Sequence, residues 1–186
     1  MDTNWPEISG SHSALEDLAE TNPRYEEGLE YQKNCQRCVP AFEMRRRGFD
    51  VTATSAVLTE YGKHSENDVL VINYNWRNVF NGVKWERTRG SGKDDIIAMM
   101  ETWGEGARAE IYVEILPIDV DETDNRHAFA AIHENGVTKF VDPQTGDYEA
   151  GWMFDCVKTG KTEVARIDNL APTNFIIYCC EGRKEI

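Results

Sequence analysis

No stretch of this sequence stays apolar long enough to cross a bilayer. The longest candidates, Ile96 to Met100 and Phe175 to Cys180, fall far short of the ~20 residues that a spanning helix needs. Positive charge is also in short supply. Lys and Arg number 20 against 33 Asp and Glu, which leaves a net charge of −13. Such a surface repels phosphate backbones and anionic lipid, so no nucleic acid and no membrane is expected as a partner, whereas a basic protein surface would be complementary. Cysteine is scarce and odd in number, with five residues at 35, 38, 156, 179 and 180. The chain begins Met-Asp-Thr-Asn-Trp, without the basic start and apolar core of a secretory signal. Together these features argue against a disulfide framework and predict at least one free thiol. The expected location is the cytoplasm where the chain is made, with delivery elsewhere by a carrier. Internal repeats and low-complexity stretches are absent as well.

What is present is enough to fold. In 186 residues, 40% are hydrophobic, with five Trp, seven Tyr and seven Phe, a composition suited to one globular unit with a sizeable core. Residues 1–30 are polar, acidic and broken by Pro6, Gly10, Pro23 and Gly28, and are expected to form a leader packed loosely on a domain of residues 31–186. Within the leader, Ser13 is placed to cap a short helix over Ala14 to Glu20. A second helix is expected from Cys38 to Arg47, stopped by Gly48. Pro40 locates its start, since proline is tolerated in a first turn but costs about 3 kcal/mol or more deeper in a helix. Asp50 to Ala53 suggests a short strand, and residues 60–92 an irregular connection. Ile96, Ile97, Met100 and Trp103 fall on one face of a helix over residues 93–103. Alternation at Ala109, Ile111, Val113 and Ile115 predicts a strand over Arg108 to Ile115. His127 to His133 and Val137 to Val141 flank Asn135-Gly136, a strong hairpin signal. Val164 to Ile167 and Phe175 to Cys180 are expected as later strands. The fold class is α+β, with helices first and a mostly antiparallel sheet after them.

Two segments could carry chemistry. A thiol is reactive as thiolate, which a helix N-terminus and a neighbouring histidine favour. Cys38 stands at the expected helix start, with Lys33 and Arg37 close in sequence. The alternative is a small buried residue with no reactivity. In the hairpin, with Asn135 and Gly136 as the loop, His127 comes opposite Gln144 and Phe129 opposite Asp142, and all four share one face. Asp142 is then diagonal to His127, close enough to orient an imidazole as the third member of a nucleophile, base and orienter set. Plain packing of His127, with Asp142-Pro143 starting a turn, accounts for the same pattern. His12, His64 and His133 are expected at the solvated surface. A zinc site built on Cys35-x-x-Cys38 would need ligands from Cys156 or the Cys179-Cys180 pair, and adjacent strand residues point to opposite faces.

The segment Tyr31-Gln-Lys-Asn-Cys-Gln-Arg-Cys-Val-Pro-Ala-Phe-Glu-Met-Arg-Arg-Arg-Gly-Phe-Asp-Val-Thr-Ala resembles the nucleophile region of papain-fold toxin domains of the Tox-PL type. Such domains occur in bacterial polymorphic toxins and at the ends of phage head proteins. Three further segments match in order: Trp103-Gly-Glu-Gly-Ala-Arg-Ala-Glu-Ile, Arg126-His-Ala-Phe-Ala with Phe140-Val-Asp-Pro-Gln-Thr-Gly, and Ala165-Arg-Ile-Asp-Asn-Leu. The resemblance runs over about residues 24 to 178. It implies a papain-like cysteine hydrolase core with a Cys, His, Asp triad, in which His127 is the base and Asp142 the orienting carboxylate. The thiol is to be chosen between Cys35 and Cys38. Gln32, Cys35 and Cys38 repeat papain's spacing of oxyanion glutamine, cysteine and nucleophile, which makes Cys38 the nucleophile and Gln32 the oxyanion donor. The implied activity is amide hydrolysis on a protein substrate without cofactor or metal, foremost glutamine deamidation by a toxin or effector. Proteolysis, or a catalytically silent module of a phage or toxin particle, is the alternative. The resemblance also implies an immunity protein and a phage or toxin carrier as partners, with action in a target cell's cytoplasm.

Overall fold

The computed structural model describes residues 4–116 and 125–183. Its centre is a five-stranded antiparallel sheet in the order β2-β6-β3-β4-β5, made of Glu86–Arg87, Val157–Arg166, Arg108–Ile115, Arg126–Glu134 and Val137–Val141. The β4–β5 hairpin turns at Asn135 (φ 55°) and Gly136 (φ 71°), the left-handed pair that a two-residue loop requires. Its register runs from Ala130↔Val141 to Glu134↔Val137, as the sequence predicts. Beyond Val141 the ladder stops, and Asp142 pairs instead with Asp147 in a tight turn.

Both faces of the sheet are covered. On one side lies helix α3, Cys35–Arg46, over Ala128, Ala130, Ile132 and Tyr112; on the other lies α4, Lys93–Trp103, over Ile111, Val113, Phe129 and Ala131. The alanines of β4 that face α3 leave room for the helix to come close. Double coverage also explains why His133, expected at the solvated surface, is buried at 6% exposure. Its Nδ1 is 2.9 Å from Thr138 Oγ1.

Most of the expected elements are present, and three differ. Helix α3 starts at Cys35 rather than Cys38, which places Pro40 in its interior. Val39, Pro40, Ala41 and Phe42 are all buried, and that packing outweighs the backbone bond to Gln36 that proline cannot donate. The Phe175 to Cys180 segment is a 3₁₀ helix over Asn174–Tyr178, started by Thr173 Oγ1 accepting from Phe175 N–H, and only Cys180–Gly182 is a strand, β7. There it pairs with β1, Val51–Ala53. The leading segment is held more firmly than its composition implies. Helix α1, Ala14–Ala19, has the Ser13–Glu16 capping box, and Leu18 enters the core. Its Asp17, wholly buried, lies 2.7 Å from His12 Nδ1 and 2.8 Å from Arg46 Nη1. Among the described residues, no helix is long and apolar enough to cross a membrane.

Candidate active site

Helix α3 brings Cys35 to its first position, after Asn34. Asn is a residue type favoured at a helix start, but here its side chain does not cap the helix. Asn34 is buried and acts as a junction instead. Its Oδ1 accepts from Cys38 Sγ at 3.1 Å and from Gln144 Nε2 at 3.3 Å, while its Nδ2 donates to Thr54 O at 3.0 Å and Asn22 Oδ1 at 3.2 Å. Asn22 Nδ2 in turn donates to Gln144 O at 2.9 Å. Three distant segments are therefore tied around the helix start by amide hydrogen bonds. Sequence reasoning missed Asn34 and Asn22 in this role; the Asn immediately before Cys35 was the available signal for the helix start.

The thiol that interacts with the His127 imidazole is that of Cys35, a partly exposed residue. The expectation for Cys38 is corrected by geometry. Its side chain is 0% exposed, and burial above all, with Cys35 and Asp142 adding to it, pushes its thiol well above the ordinary value. Arg37, expected to add bare positive charge, is itself buried. It pairs with Asp68 at 2.8 Å through both carboxylate oxygens.

His127 stands at the start of β4 with its ring stacked against Phe129. Nε2 lies 3.2 Å from Asp142 Oδ2, but its N–H is not aimed along that line, so the contact is one of charge rather than a well-formed hydrogen bond. Burial disfavours charge on this ring, yet Asp142 and Cys35 together outweigh it and raise the imidazole to about 10. Asp142 is fully enclosed and shifts the other way. Burial would raise its carboxyl, but the His127 charge, the Gln144 N–H at 3.0 Å and the Thr145 hydroxyl at 2.9 Å hold it below the ordinary carboxylate value. The sequence expects the two to be diagonal in a continuing ladder; the ladder instead ends at Ala130↔Val141, and the turn after it brings the carboxylate to the ring.

A family model described as papain fold toxin 1, glutamine deamidase, matches residues 33–147, which include all three of these groups. The chain belongs to this family. Two solved structures are similar to it, both of the Salmonella effector SpvD. The R161 variant is 12% identical with a TM-score of 0.47, covering 88% of this chain and 83% of that one. The G161 variant is 13% identical with a TM-score of 0.46, covering 90% and 84%. No curated protein matches the chain.

Within this papain-fold toxin domain, Gln32 does not reach the site. It is exposed at the end of the short helix α2, Leu29–Gln32, and its Nε2 donates to Tyr25 O at 3.2 Å. The spacing argument fails for a simple reason: it counts back from Cys38, whose sulfur faces the core. Two depressions adjoin the Cys35–His127 contact. One, of about 310 Å³, is lined by Cys35, Gln36, His64, Tyr74, Trp76 and their neighbours. Tyr74 on its wall is left-handed, at φ 56°, a conformation costly for a bulky residue and concentrated at functional sites. The other depression, of about 460 Å³, is bordered by His127, Asp142 and Gln144. Among the described residues, no group of three or more His, Cys, Asp or Glu is arranged to hold a metal ion.

Proposed function

We propose that this domain is a cysteine-dependent amide hydrolase that deamidates glutamine side chains of a protein substrate, with Cys35 as nucleophile, His127 as acid and base, and Asp142 as the group that orients the ring. The observation that carries this reading is His127 Nε2 3.2 Å from Asp142 Oδ2, with the partly exposed Cys35 thiol acting on the same imidazole. The description of the family points to the same reaction. An imidazolium and a helix N-terminus both favour a sulfur anion over a thiol, and both are found beside Cys35.

In the first step the Cys35 thiolate adds to the carboxamide carbon of the glutamine. The oxyanion that forms takes a hydrogen bond from the Cys35 backbone N–H, one of the first N–H groups of α3, which have no acceptor within a helix. His127 then gives its proton to the departing nitrogen, and ammonia leaves behind a thioester. Water attacks the thioester as His127 takes a proton from it, and the C–S bond breaks to release glutamate and return the thiolate. The polar depression that contains Cys35 is the place for the carboxamide. The net charge of −13 favours a basic face on the substrate or on an immunity partner. Such a substrate would be met in a target cell's cytoplasm, with a phage or toxin carrier supplying delivery.

The test is ammonia release and conversion of Gln to Glu, followed by mass spectrometry on candidate host proteins, for the wild-type chain and for Cys35→Ala. Conversion without chain cleavage that depends on Cys35 is expected. Cleaved chains would make the enzyme a protease. Toxicity that survives Cys35→Ala would leave only a silent binding module.

A further inference from the structure

The larger depression beside His127 has a wall that the hydrolysis itself does not use. Ile115 and Met153 contribute to its lining, and Leu116 and Trp152 border it while remaining 50% and 56% exposed. Two large apolar side chains open to water thus stand together beside the His127 imidazole, and contiguous exposed apolar surface marks a binding site more than scattered residues do. Trp152 is not loose. Its Nε1 donates to Asp147 Oδ2 at 2.9 Å, and Asp147 belongs to the turn in which Asp142 N–H donates to Asp147 O at 2.7 Å. The tryptophan therefore hangs from the same turn that carries the carboxylate facing His127. The exposed Asp155 stands on the lining, and among the described residues no basic side chain apart from His127 does.

We propose that this cavity is a substrate subsite for an apolar side chain, with a basic residue close by, adjoining the target glutamine of the protein substrate. The inference rests on amide hydrolysis at Cys35, and it adds what the substrate must look like. The cavity is continuous with the reacting groups through His127 and Asp142, so a side chain lodged against Trp152 and Leu116 fixes the neighbouring glutamine relative to the Cys35 sulfur. The occupant is apolar because the wall is. A basic neighbour fits because Asp155 gives the lining negative charge and the chain as a whole is acidic. The ~460 Å³ of space accommodates a side chain as large as phenylalanine or leucine.

The experiment separates binding from chemistry. The full chain carrying Cys35→Ala is titrated calorimetrically with acetyl-Gly-Phe-Gln-Lys-amide and acetyl-Lys-Gln-Phe-Gly-amide, which place Phe on either side of the glutamine. The same peptides with Gly for Phe serve as controls. At least one Phe peptide is expected to bind about tenfold or more tightly than its control. This preference should vanish when Trp152→Ala is added, and again with Leu116→Asp, a second variant in case the first disturbs the fold. Equal binding of Phe and Gly peptides, no binding by either, or a preference that survives in both folded variants would overturn the subsite. A wild-type chain that releases no ammonia from any glutamine substrate would sink the hydrolase reading instead, and would leave the binding result to be judged separately.

Discussion

Cys35 and Cys38 are the same residue type within one turn of the same helix, and they have opposite surroundings. At the first, the residue is partly open to solvent and interacts with an imidazole raised to about 10. At the second, the sulfur is sealed in the core, donates to Asn34 Oδ1 and is held well above its ordinary value, chiefly by burial. The basic residue between them does not rescue the inner thiol, because Arg37 is committed to Asp68 and to Ser55 O. What differs is not the motif but which side of the helix faces the cleft. Thiol reactivity in this domain is a property of position against the sheet, and the spacing Gln32, Cys35, Cys38 carries no information about that.

The contrast can be broken most directly at the outer sulfur. Cys35→Ala is expected to lower kcat/KM for ammonia release by at least about a thousandfold and to remove the site labelled by iodoacetamide. Retained activity would dissolve the distinction between the two thiols. Next in size, Asp142→Asn should reduce kcat by on the order of a hundredfold, since the ring loses the charge that orients it. The same variant has a pH signature. Because the folded-state imidazole is raised above the unfolded value of about 6.5, its stabilising contribution is full below that value and lost as pH rises through about 10. The depressed Asp142 carboxyl contributes above about 3.9 and loses its contribution as pH falls through its folded value. Thermal melts should therefore show the widest gap between wild type and Asp142→Asn from about pH 4 to 6.5, narrowing towards pH 10. A gap that grows with pH would mean that the pair is not charged as described. Cys38→Ser sharpens the comparison from the other side. A cost of about 1–2 kcal/mol in a denaturant melt is expected, with kcat/KM within a few-fold of wild type. The smallest effect belongs to Gln32→Ala, where stability should move by less than about 0.5 kcal/mol and activity should stay put.

The sheet and α4 were legible because their signals are local and mutually consistent. Asn135-Gly136 adopts the positive φ values that the turn needs, alternation fixes the faces, and the hairpin register holds as far as Ala130↔Val141, after which a turn carries Asp142 to within 3.2 Å of His127. The start of α3 was not legible, because a local rule met a tertiary fact. Pro40 disfavours a helix that begins at Cys35, yet Val39 and Phe42 are nearly inaccessible and hold that turn in the core. The expected start favoured Cys38, and papain's spacing chose that sulfur together with the glutamine at position 32. His133 was misplaced for a related reason: a strand covered on both faces buries the polar side chains on it as well. Asn22, Asn34 and Gln144 were invisible as a set, since nothing in a linear sequence marks three amides that meet only after folding.

That meeting of amides has a consequence for how the proposed activity would be disarmed. Asn22 comes from the leading segment, Asn34 from the start of α3 and Gln144 from the turn after β5, so each grips a part of the chain that carries or borders a different reactive group. A chain trimmed past Asn22 would keep the sulfur, the imidazole and the carboxylate but lose the bracket that aligns helix and hairpin. If the domain acts as proposed, proteolytic removal of the leader past Asn22 would weaken it without touching a single reacting atom.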